Sequence, residues 1–162
     1  MTDVLETNTT EIGEHQHSVR QFKLDEQIFR FHETIITEAD VRQITRIEQD
    51  QILVYSRDGE LEVILEEDVE VILSEDKPLH LRTKPRPLVL IDVNCQPVKI
   101  HHGRRTGLQI KAAAIEQGVQ IKLDFTLSLE GHGEPDRVIG DHDHVLIKGG
   151  EDFLAVDPHE NS

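Results

Sequence analysis

The chain has 162 residues and a formal charge of −15, from 17 basic and 32 acidic side chains with His neutral, so nucleic acid phosphates and anionic lipid surfaces are not expected as partners. A single cysteine, Cys95, excludes an internal disulfide and a cysteine-rich zinc cluster, and no apolar run approaches the ~20 residues of a membrane-spanning helix. The N-terminal Met1-Thr2-Asp3-Val4-Leu5-Glu6 has neither the basic start nor the apolar core of a secretory signal, which makes a cytoplasmic location the expectation.

Residues 1–19 are acidic and polar, with Thr7-Asn8-Thr9-Thr10 and His15-Gln16-His17 giving nothing to bury, and are expected to be a disordered tail. From Arg20, Phe22 and Leu24 alternate with polar neighbours as a strand does. Asp25-Glu26-Gln27 reads as a turn, and Ile28, Phe29 and Phe31 begin a return strand. Thr37 is a good helix N-cap, and Thr37-x-x-Asp40 is close to a capping box. Val41, Ile44 and Ile47 then share one face of a helix running to Gln49. Gln51 to Tyr55 reads as a strand, Arg57-Asp58-Gly59-Glu60 as a hairpin turn, and Leu61, Val63 and Leu65 as a strand of period two. Asp68 to Leu73 reads as a strand or a short turn leading to one, and Pro78 to Arg82 as a final strand.

Lys84-Pro85-Arg86-Pro87 is extended and stiff, because each Pro restricts the residue before it, and separates two repeats. In the second, Leu88 to Ile91 is a strand, Asp92 to Pro97 contains the turn, and Val98-Lys99-Ile100 returns. The helix beginning at Thr106 has apolar positions at Leu108, Ile110, Ala113, Ala114 and Ile115, and Gly118 stops it. Both helices open on Thr and close on Ile-Glu-Gln. Val119 to Leu127 reads as the best alternating strand, followed by a loop at 131–137, short apolar runs at Val138-Ile139 and Val145 to Ile147, a Gly149-Gly150 turn, and a closing strand from Phe153 to Val156. The expected organisation is therefore α+β: a tail (1–19), a first domain (20–84), a Pro-rich linker (85–87), a second domain (88–157) and a polar tail (158–162). Each domain would be a mixed sheet with one main helix packed across it.

Two strands, a helix, then more strands is the order of the β-grasp, or ubiquitin-like, fold. Thr106-Gly107-Leu108-Gln109-Ile110 resembles the helix entry of the bacterial multiubiquitin domain family. Asp136-Arg137-x-Ile139-x-Asp141, followed by Val145, Gly149 and Phe153, resembles the end of that domain. The second repeat is similar over most of its length; the first shares the layout and Ile36-Thr37 but lacks the Asp-Arg-x-Ile signature. The resemblance implies a tandem ubiquitin-like protein recognised by E1-like and E2-like enzymes and a JAB-type peptidase. An attachable modifier of that kind usually ends in Gly, whereas here Gly149-Gly150 precedes the closing strand and is read as a turn.

Among residues that carry chemistry, Asp141-His142-Asp143-His144, with Glu134 and Asp136 before it, is the densest cluster. Asp141 and Asp143 are the calcium candidates, since carboxylate oxygens suit that cation; the alternative is a solvated acidic turn. His101-His102 reads as a polar loop, and Cys95 as a turn residue with no basic neighbour to activate it. No nucleophile elbow or phosphate-cradling Gly loop is present, so the chain is expected not to be an enzyme. Partner recognition would use a strand face around Ile121, Leu123 and Phe125, or the equivalent face with Ile52 and Val54. The competing reading is a non-conjugated homo-oligomer that assembles through strand edges, assisted by a cation.

Overall fold

The computed structural model describes residues 19–56 and 60–160. Most of the expected tail at 1–19, the turn residues 57–59 and the last two residues lie outside that set. The chain divides into two compact units, Met1–Pro85 and Arg86–Ser162. Both are mixed α and β.

In the first unit the order is β1 (Arg20–Leu24), β2 (Gln27–Phe31), β3 (Ile35–Thr37), α1 (Glu38–Thr45), β4 (Gln51–Tyr55), β5 (Val63–Ile64), β6 (Glu70–Ile72) and β7 (Leu79–Pro85). Five strands form a sheet in the order β2-β1-β7-β4-β5, while β3 and β6 pair apart from it. β1 runs parallel to β7; the other pairs are antiparallel. Phe22, Leu24, Leu53, Tyr55 and Leu81 point from one face of the sheet into a core shared with Val41, Ile36, Leu65, Val71 and Leu73. Asp25 adopts φ 53° in the hairpin turn, which Asp tolerates because its short side chain bonds locally. Here the carboxylate accepts from Thr83 N (3.2 Å) and Oγ1 (3.0 Å), fastening the turn to β7.

The capping box forms as the sequence predicts: Asp40 N donates to Thr37 Oγ1 and Thr37 N to Asp40 Oδ2. The helix is shorter than expected. Arg46 turns into the left-handed region (φ 56°), its N–H bonded to Arg42 O, and Arg42 donates to the carbonyls of Glu48 and Gln51 that follow. Ile44 is consequently exposed, and Ile47 packs on the core from beyond the helix. The expected strand at Leu61–Leu65 is reduced to Val63–Ile64, with Leu61 89% exposed. β7 runs on through Lys84 and Pro85, which pair with Ile52 and Gln51, so only Arg86 and Pro87 stand between it and the next strand.

The second unit contains β8 (Leu88–Val93), β9 (Gln96–His101), β10 (Gly103–Thr106), α2 (Gly107–Glu116), β11 (Thr126–Leu129), β12 (Arg137–Ile139), β13 (His144–Ile147) and β14 (Asp152–Val156). Its sheet order, β9-β8-β14-β11-β12, repeats that of the first unit, again with the first strand parallel to the last. The β10–β13 ladder corresponds to β3–β6: in both, the strand that enters the helix pairs with the strand before the closing one. Asn94 (φ 52°) and Cys95 (φ 63°) make a tight hairpin turn, and the Asn94 amide exchanges two hydrogen bonds with Ala155 on β14 (2.7 and 3.0 Å). This is the counterpart of the Asp25 clamp.

One expectation fails plainly. Val119 to Phe125 is not a strand, although Val119 and Ile121 are buried and their neighbours exposed. Its backbone bonds are local or to the helix: Val119 N to Ala114 O, Ile121 N to Val119 O, Phe125 N to Lys122 O. The alternation arises from a coil laid over the core, and the strand starts only at Thr126. Among the described residues no helix is long and apolar enough to cross a membrane.

Candidate functional site

The two motifs that carry the family resemblance meet at the start of α2. Thr106 caps the helix, accepting from Gln109 N at 3.1 Å, while Gln109 Oε1 accepts from Thr106 N at 2.9 Å. Two further N–H groups of the first turn, which no helix satisfies internally, donate to carbonyls of the turn between β12 and β13: Gly107 N to Asp143 O (3.1 Å) and Leu108 N to Asp141 O (3.2 Å). The approach is close enough to require glycine: a Cβ on residue 107 would lie 2.3 Å from Gly140 O. Asp136 Oδ1 holds Gly131 N at 3.0 Å, and Ile139 is buried in the core.

Asp141 belongs to the same junction. Its Oδ1 lies 2.7 Å from Lys111 Nζ, and this lysine, on the second turn of α2, is buried. The ammonium also donates to Leu123 O (2.5 Å) and Phe125 O (3.0 Å), so one cation ties the helix, the coil after it and the β12–β13 turn together. Nothing in the periodicity marks Lys111; a lysine flanked by apolar helix positions is its only signal. The sequence motif Thr-Gly…Asp-Arg-x-Ile-x-Asp is thus a docking device between helix and turn.

The calcium candidates are occupied by protein partners. Asp141 pairs with Lys111, and Asp143 Oδ2 accepts from Gly140 N at 2.8 Å. A cation at Asp141 would have to compete with a buried ammonium. His142 and His144 are exposed, and among the described residues no three His, Cys, Asp or Glu side chains gather as a metal site. Cys95 is exposed in its turn.

Other expected positions fall differently. His102 is buried, not part of a polar loop: Arg86 Nη1 and Arg105 Nη2 both donate to its carbonyl at 3.0 and 3.1 Å. Burial, and then the neighbouring Arg86 charge, lower the pKa of Arg105. Gly149 and Gly150 have φ of 107° and 89° and form the turn before β14, with Gly150 N bonded to Leu90 O. Of the expected docking residues, Ile121 is buried, Phe125 packs against the core and only Leu123 is exposed. Ile52 and Val54 are buried as well, on the face of β4 opposite Leu53 and Tyr55. Their register partners there are Lys84 and Arg82, whose head groups meet the Glu62 carboxylate, both at 2.5 Å. Lys84 and then Arg82 hold the Glu62 carboxyl below its ordinary value. Outward-facing apolar residues remain on the second sheet: Leu88 and Leu90 on β8, Leu154 on β14 and Val138 on β12 alternate with core residues and are exposed. Compared with known proteins, the chain matches no family model and no curated protein.

Proposed function

We propose that this chain is a bacterial ubiquitin-like protein with two β-grasp domains, recognised by E1-like and E2-like enzymes and a JAB-type peptidase in a conjugation pathway. The observation that carries the reading is the strand order. In both units a hairpin is followed by one helix, and the last strand inserts beside the first, parallel to it, so that the five strands of the main sheet, counted among themselves, lie in the order second, first, last, third, fourth. Its occurrence in both units supports the β-grasp reading of each. The resemblance of Thr106–Ile110 and Asp136–Asp141 to the multiubiquitin family supports it, since both segments serve the junction that holds the helix on its sheet. In this reading Leu88, Leu90, Val138 and Leu154 supply the apolar surface for partner enzymes, and the chain itself carries out no catalysis.

Attachment through Gly149-Gly150 would sever β14, which brings Phe153 and Ala155 into the core, so any activated carboxylate lies beyond Val156. The test is incubation with a cognate E1-like enzyme and ATP, using intact protein and protein trimmed at successive bonds after Val156. The expected result is an acyl-adenylate formed with release of pyrophosphate, followed by attack of an enzyme thiolate on it to give a thioester with release of AMP. No adduct from any of these forms would withdraw the conjugation reading.

A further inference from the structure

The two units treat one sheet edge in opposite ways. In each, the second strand lies at the edge. The two-residue hairpin loop makes Leu24↔Gln27 and Val93↔Gln96 the hydrogen-bonded pairs nearest the turn, and such pairs alternate along the ladder. The amide groups of Ile28 and Arg30 on β2, and of Pro97 and Lys99 on β9, therefore point away from the sheet. The second unit closes this edge. Pro97 has no N–H to offer, and the Gln117 side chain accepts from Lys99 N (2.8 Å) and donates to Lys99 O (2.7 Å), imitating a neighbouring strand. The first unit leaves it open. Ile28 and Arg30 stand where Pro97 and Lys99 stand, Ile28 is 57% exposed, and among the described residues no group bonds their outward amides. α1 ends at Thr45, earlier than α2, and brings no glutamine to β2 in the way Gln117 reaches β9.

We propose that the β2 edge pairs with the β2 edge of a second copy of this chain, antiparallel about Phe29. This pairing does not depend on conjugation. In that register Ile28 faces Arg30 of the second copy, Phe29 faces Phe29, and Gln27 faces Phe31, so no charged side chain meets another. The aliphatic stem of Arg30 covers the exposed Ile28 of the other copy. Phe29, already stacked on Phe22 with ring centroids 5.2 Å apart, gains an aromatic cross-strand neighbour. Centring on Arg30 instead would oppose two guanidinium groups. Each copy carries a charge of −15, so long-range repulsion opposes the contact and added salt strengthens it. A basic peptide of another protein at this edge would be attracted by that charge and bind more weakly as salt rises.

The test is sedimentation and light scattering of the full chain carrying Cys95→Ser, from ~10 µM to ~1 mM, a range suited to a short weak interface. The expected mass rises from 18.5 kDa toward twice that with concentration, and at fixed concentration rises between ~20 and ~300 mM salt. Ile28→Pro copies into the first unit the residue that the second unit uses at this position. It is expected to leave the far-UV circular dichroism unchanged and the chain monomeric throughout. In the same background, an equimolar mixture of Ile28→Cys and Arg30→Cys chains is expected to form the mixed disulfide well above either homodimer. A parent that stays monomeric at ~1 mM, association that weakens with salt, or an Ile28→Pro chain that still associates would each overturn the proposal.

Discussion

Lys111→Met isolates the cation that holds α2, the coil after it and the β12–β13 turn together. Methionine keeps the length and apolar volume of the lysine stem, so the change removes charge and hydrogen bonds without opening a large cavity. Two charge-assisted hydrogen bonds are lost, to Leu123 O and Phe125 O. Bonds to a charged group are each worth about 1.5–3 kcal/mol, but Leu123 is half exposed and its carbonyl regains water, which brings the pair to about 2–3 kcal/mol. The Asp141 side chain is 48% exposed, so its carboxylate is rehydrated when the ammonium goes; that pair adds about 0.5–1 kcal/mol. The expected cost is about 3 kcal/mol, confined to the second unit. With a urea slope of about 1 kcal/mol/M for a unit of this size, the midpoint falls by roughly 3 M. Tyr55 is the chain's only tyrosine and there is no tryptophan, so intrinsic fluorescence follows the first unit alone. The assay is urea unfolding read by Tyr55 fluorescence and, for the second unit, by amide NMR signals of β8, β11 and β14. The Tyr55 transition should stay in place while the second moves. Asp141→Asn should cost about 1 kcal/mol or less, because it leaves both carbonyl bonds intact. A Lys111→Met midpoint within ~0.5 M of the parent, or an Asp141→Asn loss as large as that of Lys111→Met, would refute this reading of the junction.

Gly107→Ala improves intrinsic helix propensity by about 1 kcal/mol yet is expected to lower stability by about 2 kcal/mol, because the added Cβ meets Gly140 O at 2.3 Å; thermal unfolding of the variant above the parent would contradict this. Glu62, with its pKa depressed by Lys84 and Arg82, contributes stability above its ordinary value of 4.5 and loses that contribution as pH falls through the depressed folded value. Glu62→Gln should therefore flatten the acid limb of the Tyr55-monitored urea midpoint, and identical limbs in parent and variant would sink the assignment.

Much of this architecture is written locally. The Thr37 and Thr106 caps, the Asp25 and Asn94 turns and the Gly149-Gly150 turn each depend on a few adjacent residues, and each sits where the sequence puts it. What the sequence hides is decided by distant partners. Val119 to Phe125 has the alternation of a strand, but Lys111 and Ala114 take up backbone groups that a ladder would need. α1 stops at Thr45 because Arg42 binds carbonyls of the segment that follows. β3 and β10 are too short to show a period, and Gly103-Arg104-Arg105 has no apolar residue to alternate. His102 looks polar and lies buried because two arginines hold its carbonyl. At the candidate site, Asp141 was legible as a charge but not as the partner of Lys111, thirty positions away.

The parallel pairing of first and last strands has a consequence for synthesis. β8 and β11 are separated in the finished sheet by β14, which is made after every other strand of that unit. Until those residues emerge, the second unit has a gap through its middle, with two unpaired ladders facing each other. A nascent chain arrested at that stage presents sticky inner strands, the state in which misassembly and chaperone capture are most favoured. The first unit, whose own closing strand ends at Pro85, has all its strands made well before then.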